Sequence, residues 1–351
     1  MPVLILCAVF IAQTAQACSF HFYKPERSVI DRVLDSDTLA IARPHPDSPF
    51  SFQIVEVLRG AENGVAIREL VNSQIRARLA ANPDDGVLFV FDQETNVWQS
   101  IAYLSGDYRQ VVDFALAHEE AWRTEYTPDR LALFAGLQTH PEPALRQLAL
   151  LEIDKAPYDM LRGIELQIPA EKLLAELWKI EGYPYQSIRI LLLGLSDDDA
   201  ARREIRAFIA RAPDRERSRN LGAFATALVE IDGDAGIALL DREILSDPRQ
   251  SRDNVEQVVE ALAIHSGVGA PGMAASIAAT LDRLVALRPD TAALIARQFG
   301  SRQNWTQADR LAPLVAERRL TAASDLMTVA VYLAQARDAH AAPPTGTGMG
   351  D

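Results

Sequence analysis

Hydrophobic and polar positions between Ser187 and Arg211 set out two helices in succession. Ile188, Leu191, Leu192 and Leu195 fall at i, i+3, i+4 and i+7, the apolar stripe of one helix. Ser196 to Asp199 then supplies a turn and N-cap chemistry, because a short side-chain oxygen satisfies the orphan N–H groups at the start of a helix. Ala201, Ile205, Phe208 and Ile209 make the stripe of the second helix. Two short helices joined by an acidic turn form an αα-hairpin. Such a hairpin cannot bury both apolar faces alone and calls for neighbours of the same kind.

Those neighbours recur along the chain. From Leu192, equivalent positions fall at Leu228, Leu262 and Ala296, steps of 36, 34 and 34 residues. Each later anchor sits in a matching pattern: Phe224, Leu228 and Ile231; Val258, Leu262 and His265; Ala292, Ala296 and Phe299. A turn and a second apolar helix follow each one, through Ile237 and Leu240, Ile277 and Leu281, and Leu311 and Leu314. An earlier unit, Ala144 to Ile153 with Ile168 to Ile180, has a longer spacing, and Leu326, Ala330 and Leu333 suit a terminal capping helix. A helix-pair period in this range belongs to the α-solenoids. With its turn Leu192-Leu193-Gly194-Leu195-Ser196-Asp197-Asp198-Asp199-Ala200, the stretch from about 140 to 335 resembles HEAT-like repeats, which implies a stacked superhelix. An irregular helical bundle is the alternative shape. After His340 the tail has no periodicity and is expected to be disordered.

The first third has strand character. Asp37 to Arg43 is a short apolar stretch, and Phe50, Phe52 and Ile54 alternate with polar residues before the parity changes at Val55 and Val57. Val65 to Leu70 reads as a further strand. Gly86 to Phe91 and Val97 to Leu104 flank the polar turn Asp92 to Asn96 and predict a hairpin. Four or five strands in this length predict a small barrel or sandwich. A cysteine at position 18, the strand at 37–43 and Phe50 to Gly60 together resemble the opening of the netrin/TIMP-like OB barrel over about residues 18 to 105. The cysteines that staple such barrels are missing, and only Cys18 matches a functional position of the family's metalloprotease inhibitors. Asp107 to Glu125 reads as a closing helix, with Thr127 and Pro128 restarting the chain as N-cap and N1.

The fold class predicted is thus α+β with two domains: an all-β, OB-like barrel over residues 18–125, with its closing helix, then a HEAT-like solenoid over 126–340. Residues 1–17 are expected to be a signal peptide and 341–351 a tail. The apolar run Val3 to Ala12 is too short to span a bilayer as a helix, and Ala15-Gln16-Ala17 places small residues at −3 and −1 of a cleavage site. Export follows, to the periplasm or to a lipid anchor on the bacterial envelope. Cys7 lies inside the leader, so Cys18 is the only cysteine of the mature chain and stands at its first position. The surrounding sequence resembles a lipobox without its usual Leu, which leaves two outcomes open, lipidation of Cys18 and plain secretion.

Composition narrows the chemistry. Of 351 residues, 48% are hydrophobic and 7% aromatic, which suits close helix packing. A net charge of −13 argues against nucleic acid as a partner, since phosphate binding needs clustered Lys and Arg. No nucleophile elbow, P-loop, paired-His helix or CxxC occurs, and no catalytic residue, cofactor or metal site is expected. His21 near Cys18 is too few ligands for a metal, and Asp197 to Asp199 and Asp232 to Asp234 lack the spaced oxygens of a calcium loop. Arg189, Arg202, Arg203 and Arg206 concentrate basic charge and are the candidate ligand or partner surface; ordinary pairing with helical carboxylates is the competing explanation. The expected role is a non-catalytic scaffold binding another envelope protein or peptide. The alternative is an enzyme or inhibitor working near Cys18 in the β domain.

Overall fold

A computed structural model describes residues 27–61, 64–211, 218–270 and 272–341. The expected signal peptide, Cys18, His21 and the tail beyond Ala341 lie outside the described residues. Seventeen α-helices and four strands occur among the described residues. They divide into two compact units, with the division between Lys155 and Ala156.

The first unit begins with α1 (Val29–Asp35), started by a capping box in which the Ser28 hydroxyl and the Asp31 carboxylate satisfy each other's backbone N–H groups. β1 (Leu39–His45), β2 (Ser48–Arg59), α2 (Ser73–Ala81), β3 (Gly86–Asp92) and β4 (Val97–Leu104) follow. Helices α3 (Gly106–Ala117), α4 (Glu119–Thr124), α5 (Pro128–Gly136) and α6 (Pro143–Ile153) complete it. The strands form one antiparallel sheet in the order β2-β1-β3-β4. Side-chain alternation sends Ala40, Ala42, Val87, Phe89 and Trp98 to one face, where Ile67, Val71 and Leu79 cover them. The intervening Leu39, Ile41, Leu88 and Val90 are also buried, and α1 and α3 pack beside β4. The hairpin β3–β4 turns on Asp92, whose carboxylate accepts the Glu94 N–H at 2.9 Å, and on Asn96 in the left-handed region.

This corrects the expected N-terminal fold. The sheet is open and the unit is rich in helix, so neither a closed OB-like barrel nor an all-β domain forms. The reason lies in residues 65–71, of which Val65 to Leu70 were expected as a strand. They make one isolated bridge, Ser51 to Leu70, and otherwise cross the sheet face. The Val65 carbonyl accepts from Trp98 Nε1 at 2.9 Å, Glu69 takes the Ser100 N–H and hydroxyl on β4, and the Val71 N–H reaches the Phe50 carbonyl on β2 at 2.8 Å. The segment that would have carried the sheet toward closure is used as a cover.

The far end of this unit is fixed by a buried carboxylate. Glu152 of α6 is fully buried, and its Oε2 accepts Nε and Nη2 of Arg130 at 3.0 and 2.6 Å. Its Oε1 accepts from Lys155 Nζ at 2.6 Å and from the Ser28 hydroxyl. Lys155 also reaches Asp31 at 2.6 Å. Burial pushes the Asp31 pKa up, but Lys155, the Ser28 N–H and Arg130 outweigh it and hold the carboxyl below its ordinary value. One ionic cluster thus joins α1, α5 and α6, and it places residues 126–155 in the first unit rather than in the helical repeat region expected from residue 126 onward.

The second unit contains α7 (Tyr158–Arg162), α8 (Ala170–Leu177), α9 (Gln186–Gly194), α10 (Asp199–Ala210) and α11 (Leu221–Asp232). It continues with α12 (Asp234–Leu240), α13 (Arg252–Val268), α14 (Met273–Leu287), α15 (Ala292–Gly300), α16 (Ala308–Ala316) and α17 (Ala323–Ala341). Helices α9, α11, α13, α15 and α17 pack one against the next, and α8, α10, α12 and α14 make a second series alongside. This arrangement is compatible with an α-solenoid. Every residue of α9 is buried, whereas α10 buries only Ala201, Ile205 and Ile209 along one stripe. Close packing of α9 on α11 needs Gly194, where a Cβ would stand 2.7 Å from the Ala227 methyl.

Buried amides tie the first series together. Gln186 Nε2 donates to the Leu177 carbonyl at 2.9 Å, and Asn220 Nδ2 donates to Gln186 Oε1 at 2.9 Å. Asn254 accepts the Ser218 N–H at 2.8 Å and donates to Gln250 at 2.8 Å, while Arg288 donates to the Gln250 carbonyl at 3.0 Å. Gln186, Asn220, Asn254 and Arg288 are evenly spaced at 34 residues, a more regular period than the apolar anchors show.

Two substitutions test these ties. Asn254→Ala leaves the Ser218 N–H and the Gln250 amide without their partner, and should cost about 1–3 kcal/mol in denaturant unfolding; an unchanged midpoint would remove the ladder's role. Glu152→Ala strands Arg130 and should cost about 3–5 kcal/mol, whereas replacing Glu152 and Arg130 together by Met should recover most of it. Amide exchange over residues 28–36 reports that second loss directly.

Candidate functional site

The site is built where α8 ends and α10 passes it. α8 buries Leu173 and Leu177, and the next residue, Trp178, leaves the helix with 54% of its surface exposed. Ile180, which opens a 3-10 turn, is 90% exposed, the most exposed of the large hydrophobic residues described. Single exposed apolar residues are ordinary, but a tryptophan and an isoleucine two positions apart beside a cavity are not. α10 starts at Asp198, whose carboxylate caps the Ala201 N–H at 2.8 Å. Glu204, Phe208 and Arg211 then fall on one face at helical spacing.

These residues and Trp178 line a cleft of about 340 Å³. Its floor is aromatic. Phe208 stacks on the buried Phe224 of α11 with centroids 3.7 Å apart and planes within 9°. The Trp178 ring is nearly parallel, 6.5 Å from Phe208 and 6.2 Å from Phe224. Being almost equidistant from two stacked rings, it stands beside the stack rather than on top of it. Arg211 reaches Glu204 at 3.3 Å and sets a polar edge. Such a site accepts a large apolar side chain and offers charged groups to whatever flanks it. Among the described residues that line it there is no nucleophile with an adjacent base.

The four arginines expected to form a ligand surface do not converge. Arg189 is buried on α9; it donates to Glu176 at 2.6 Å and to the Gly182 carbonyl at 3.0 Å, and burial lowers its pKa. It thereby fixes the end of α8 to the turn that carries Ile180, so it supports the cleft from behind. Arg202 pairs with Asp197 and Asp199 at 3.3 and 3.7 Å, and Arg206 makes a two-pronged contact with Asp232 at 2.6 and 2.7 Å. Arg203 is exposed on α10. The same use of arginine continues in Arg310 with Asp282, which joins α16 to α14, and in Arg283 with Asp241 and Arg302 with Glu260, which join a helix to the residues just past a neighbouring one. Most of these cations are staples.

Other candidates resolve into structure. Among the described residues no group of three or more His, Cys, Asp or Glu is placed to hold a metal ion. Ser28 and Lys155 lie 2.9 Å apart, the composition of a serine–lysine nucleophile pair, but Ser28 is buried and caps α1. A larger open groove of about 770 Å³ between α16 and α17 is lined mainly by Ala308, Ala312, Ala330, Val315 and Leu333. It lacks aromatic anchors, which is why the smaller cleft is the stronger candidate. No helix among the described residues is long and apolar enough to cross a membrane. The residues that make the cleft carry one sequence signal that was available: Trp178 follows the apolar stripe of α8 on its polar side.

No family model, curated protein or solved structure matches the chain.

Proposed function

We propose that this is an exported protein of the bacterial envelope that acts as a non-catalytic, protein-binding scaffold through its helical unit. The observation that carries the reading is the cleft between Trp178 and Phe208, with Ile180 exposed two residues further along the chain. Binding energy at protein interfaces concentrates in a few Trp, Tyr and Arg anchors in pockets, and this surface presents that chemistry on a rigid support. The partner is another envelope protein or a peptide of it, offering a large apolar side chain to the cleft and polar groups to Glu204 and Arg211. A HEAT-like assignment of residues 156–341 is supported by two-series helix packing and the 34-residue amide spacing. No cofactor enters this reading, and a membrane enters only through a lipid on Cys18.

The double substitution Trp178→Ala with Ile180→Asp should leave helix content unchanged and weaken capture of the partner from envelope extracts at least about tenfold, since it removes an anchor of roughly 2 kcal/mol or more. Equal capture by the substituted and natural proteins would eliminate the cleft as the binding site. Export is tested separately: intact mass of envelope-purified protein should begin at Cys18, with or without added acyl chains. A chain that keeps Met1 rules out export.

A further inference from the structure

One carboxylate on α11 takes two polar contacts from helix α7. Glu230 of α11 accepts the Tyr158 hydroxyl on Oε2 at 3.1 Å and Arg162 Nε on Oε1 at 3.0 Å. Arg162 also donates to the Val268 carbonyl at the end of α13. Only Tyr158 and Leu161 of this five-residue helix are buried, so its attachment rests heavily on those polar contacts.

His265 of α13 lies against the same carboxylate. Its ring meets Tyr158 edge-on with centroids 5.5 Å apart. Nε2 is 3.0 Å from the Thr226 carbonyl, which only accepts, so Nε2 carries the proton of the neutral ring. Nδ1 is then a bare acceptor, 3.8 Å from Glu230 Oε2. Two acceptors face each other there, and no hydrogen bond joins them. Among the described residues, the groups that face His265 are Glu230 and the Thr226 carbonyl from α11, and Tyr158 and Arg162 from α7. From α14, the apolar Met273 lies beside the backbone of Gly269, and on α13 itself Glu260 is engaged by Arg302.

We propose that this cluster is an acid-operated clamp, in which a solvent proton taken up at His265 Nδ1 draws Glu230 off Tyr158 and Arg162 and loosens α7 from α11. Protonation turns Nδ1 into a charged donor aimed at Oε2, so the carboxylate gains a new partner at the expense of the two that hold α7. Burial, opposed by the Thr226 bond and by Glu230, keeps the His265 pKa below its ordinary 6.5. The sign follows: the contribution of the neutral ring is complete above about pH 6.5, where the unfolded chain is also neutral, and is lost as pH falls through the lower folded value. α7 is the first helix after the division between the two units.

The test is amide exchange of the full chain from about pH 7.5 to about pH 5, corrected for intrinsic rates, the range over which histidine titrates. Protection of residues 157–163 should fall by up to about tenfold per pH unit between the higher pKa of the released state and the lower folded pKa, as one proton requires, and level off below, while residues 221–232 stay protected. His265→Gln keeps an N–H for Thr226 without titrating and should flatten the profile. Glu230→Gln should loosen α7 already at neutral pH. The same pH profile in natural and His265→Gln protein, loss of α7 and α11 together, or full protection of α7 in Glu230→Gln would each overturn the clamp.

Discussion

The second unit depends on buried amides that cannot be left unpaired. Asn220 stands in the left-handed region at the entry to α11, bonds Gln186 through its NH₂ and accepts the Ser187 hydroxyl at 3.0 Å. Once such a group leaves water, its partners are fixed to within a hydrogen bond, and with them the register of the helices that carry them. Apolar packing of Leu and Ala permits sliding along a helix interface. The amides at 34-residue spacing do not. The same ladder starts on the Leu177 carbonyl, one residue before Trp178, so the geometry of the cleft is set by the interaction that sets the stack.

The first unit uses the same physics with charge in place of amides. A carboxylate as buried as Glu152 is tolerated only because Arg130, Lys155 and the Ser28 hydroxyl surround it. Glu230 is the second unit's counterpart, but its neighbourhood includes a group that titrates. The difference between a permanent tie and a conditional one is therefore a single imidazole, His265, placed where Glu152 has only permanent cations and a hydroxyl. The arginine-rich stretch around α10 belongs to this economy as well. Arg206 on Asp232 and Arg310 on Asp282 hold helix to helix, and Arg283 holds Asp241 just past α12.

The sequence by itself determined the helical half in some detail. Helical period is local: Ala201, Ile205 and Ile209 line up on one face of α10 wherever that helix is placed, and Asp198 caps it with atoms three residues away. The hairpin of β3 and β4 was equally legible, because alternation and a polar turn are short-range properties. Helices α1 and α2 were missed, being too short for a convincing stripe.

Only the tertiary structure decided what depends on partners far apart in the chain. Strand count does not say whether β2 meets β4, and the crossing of residues 65–71 over the sheet, fixed by Trp98 and Ser100, left it open. Residues 126–155 read as helical repeat by pattern, yet Glu152 binds them to Ser28 more than 120 positions earlier. The arginines of α9 and α10 look like a basic surface until Glu176, Asp197 and Asp232 are found beside them. The cleft itself is a matter of exposure: among the described residues Trp178 beside Phe208 stays half exposed, which no local pattern decides.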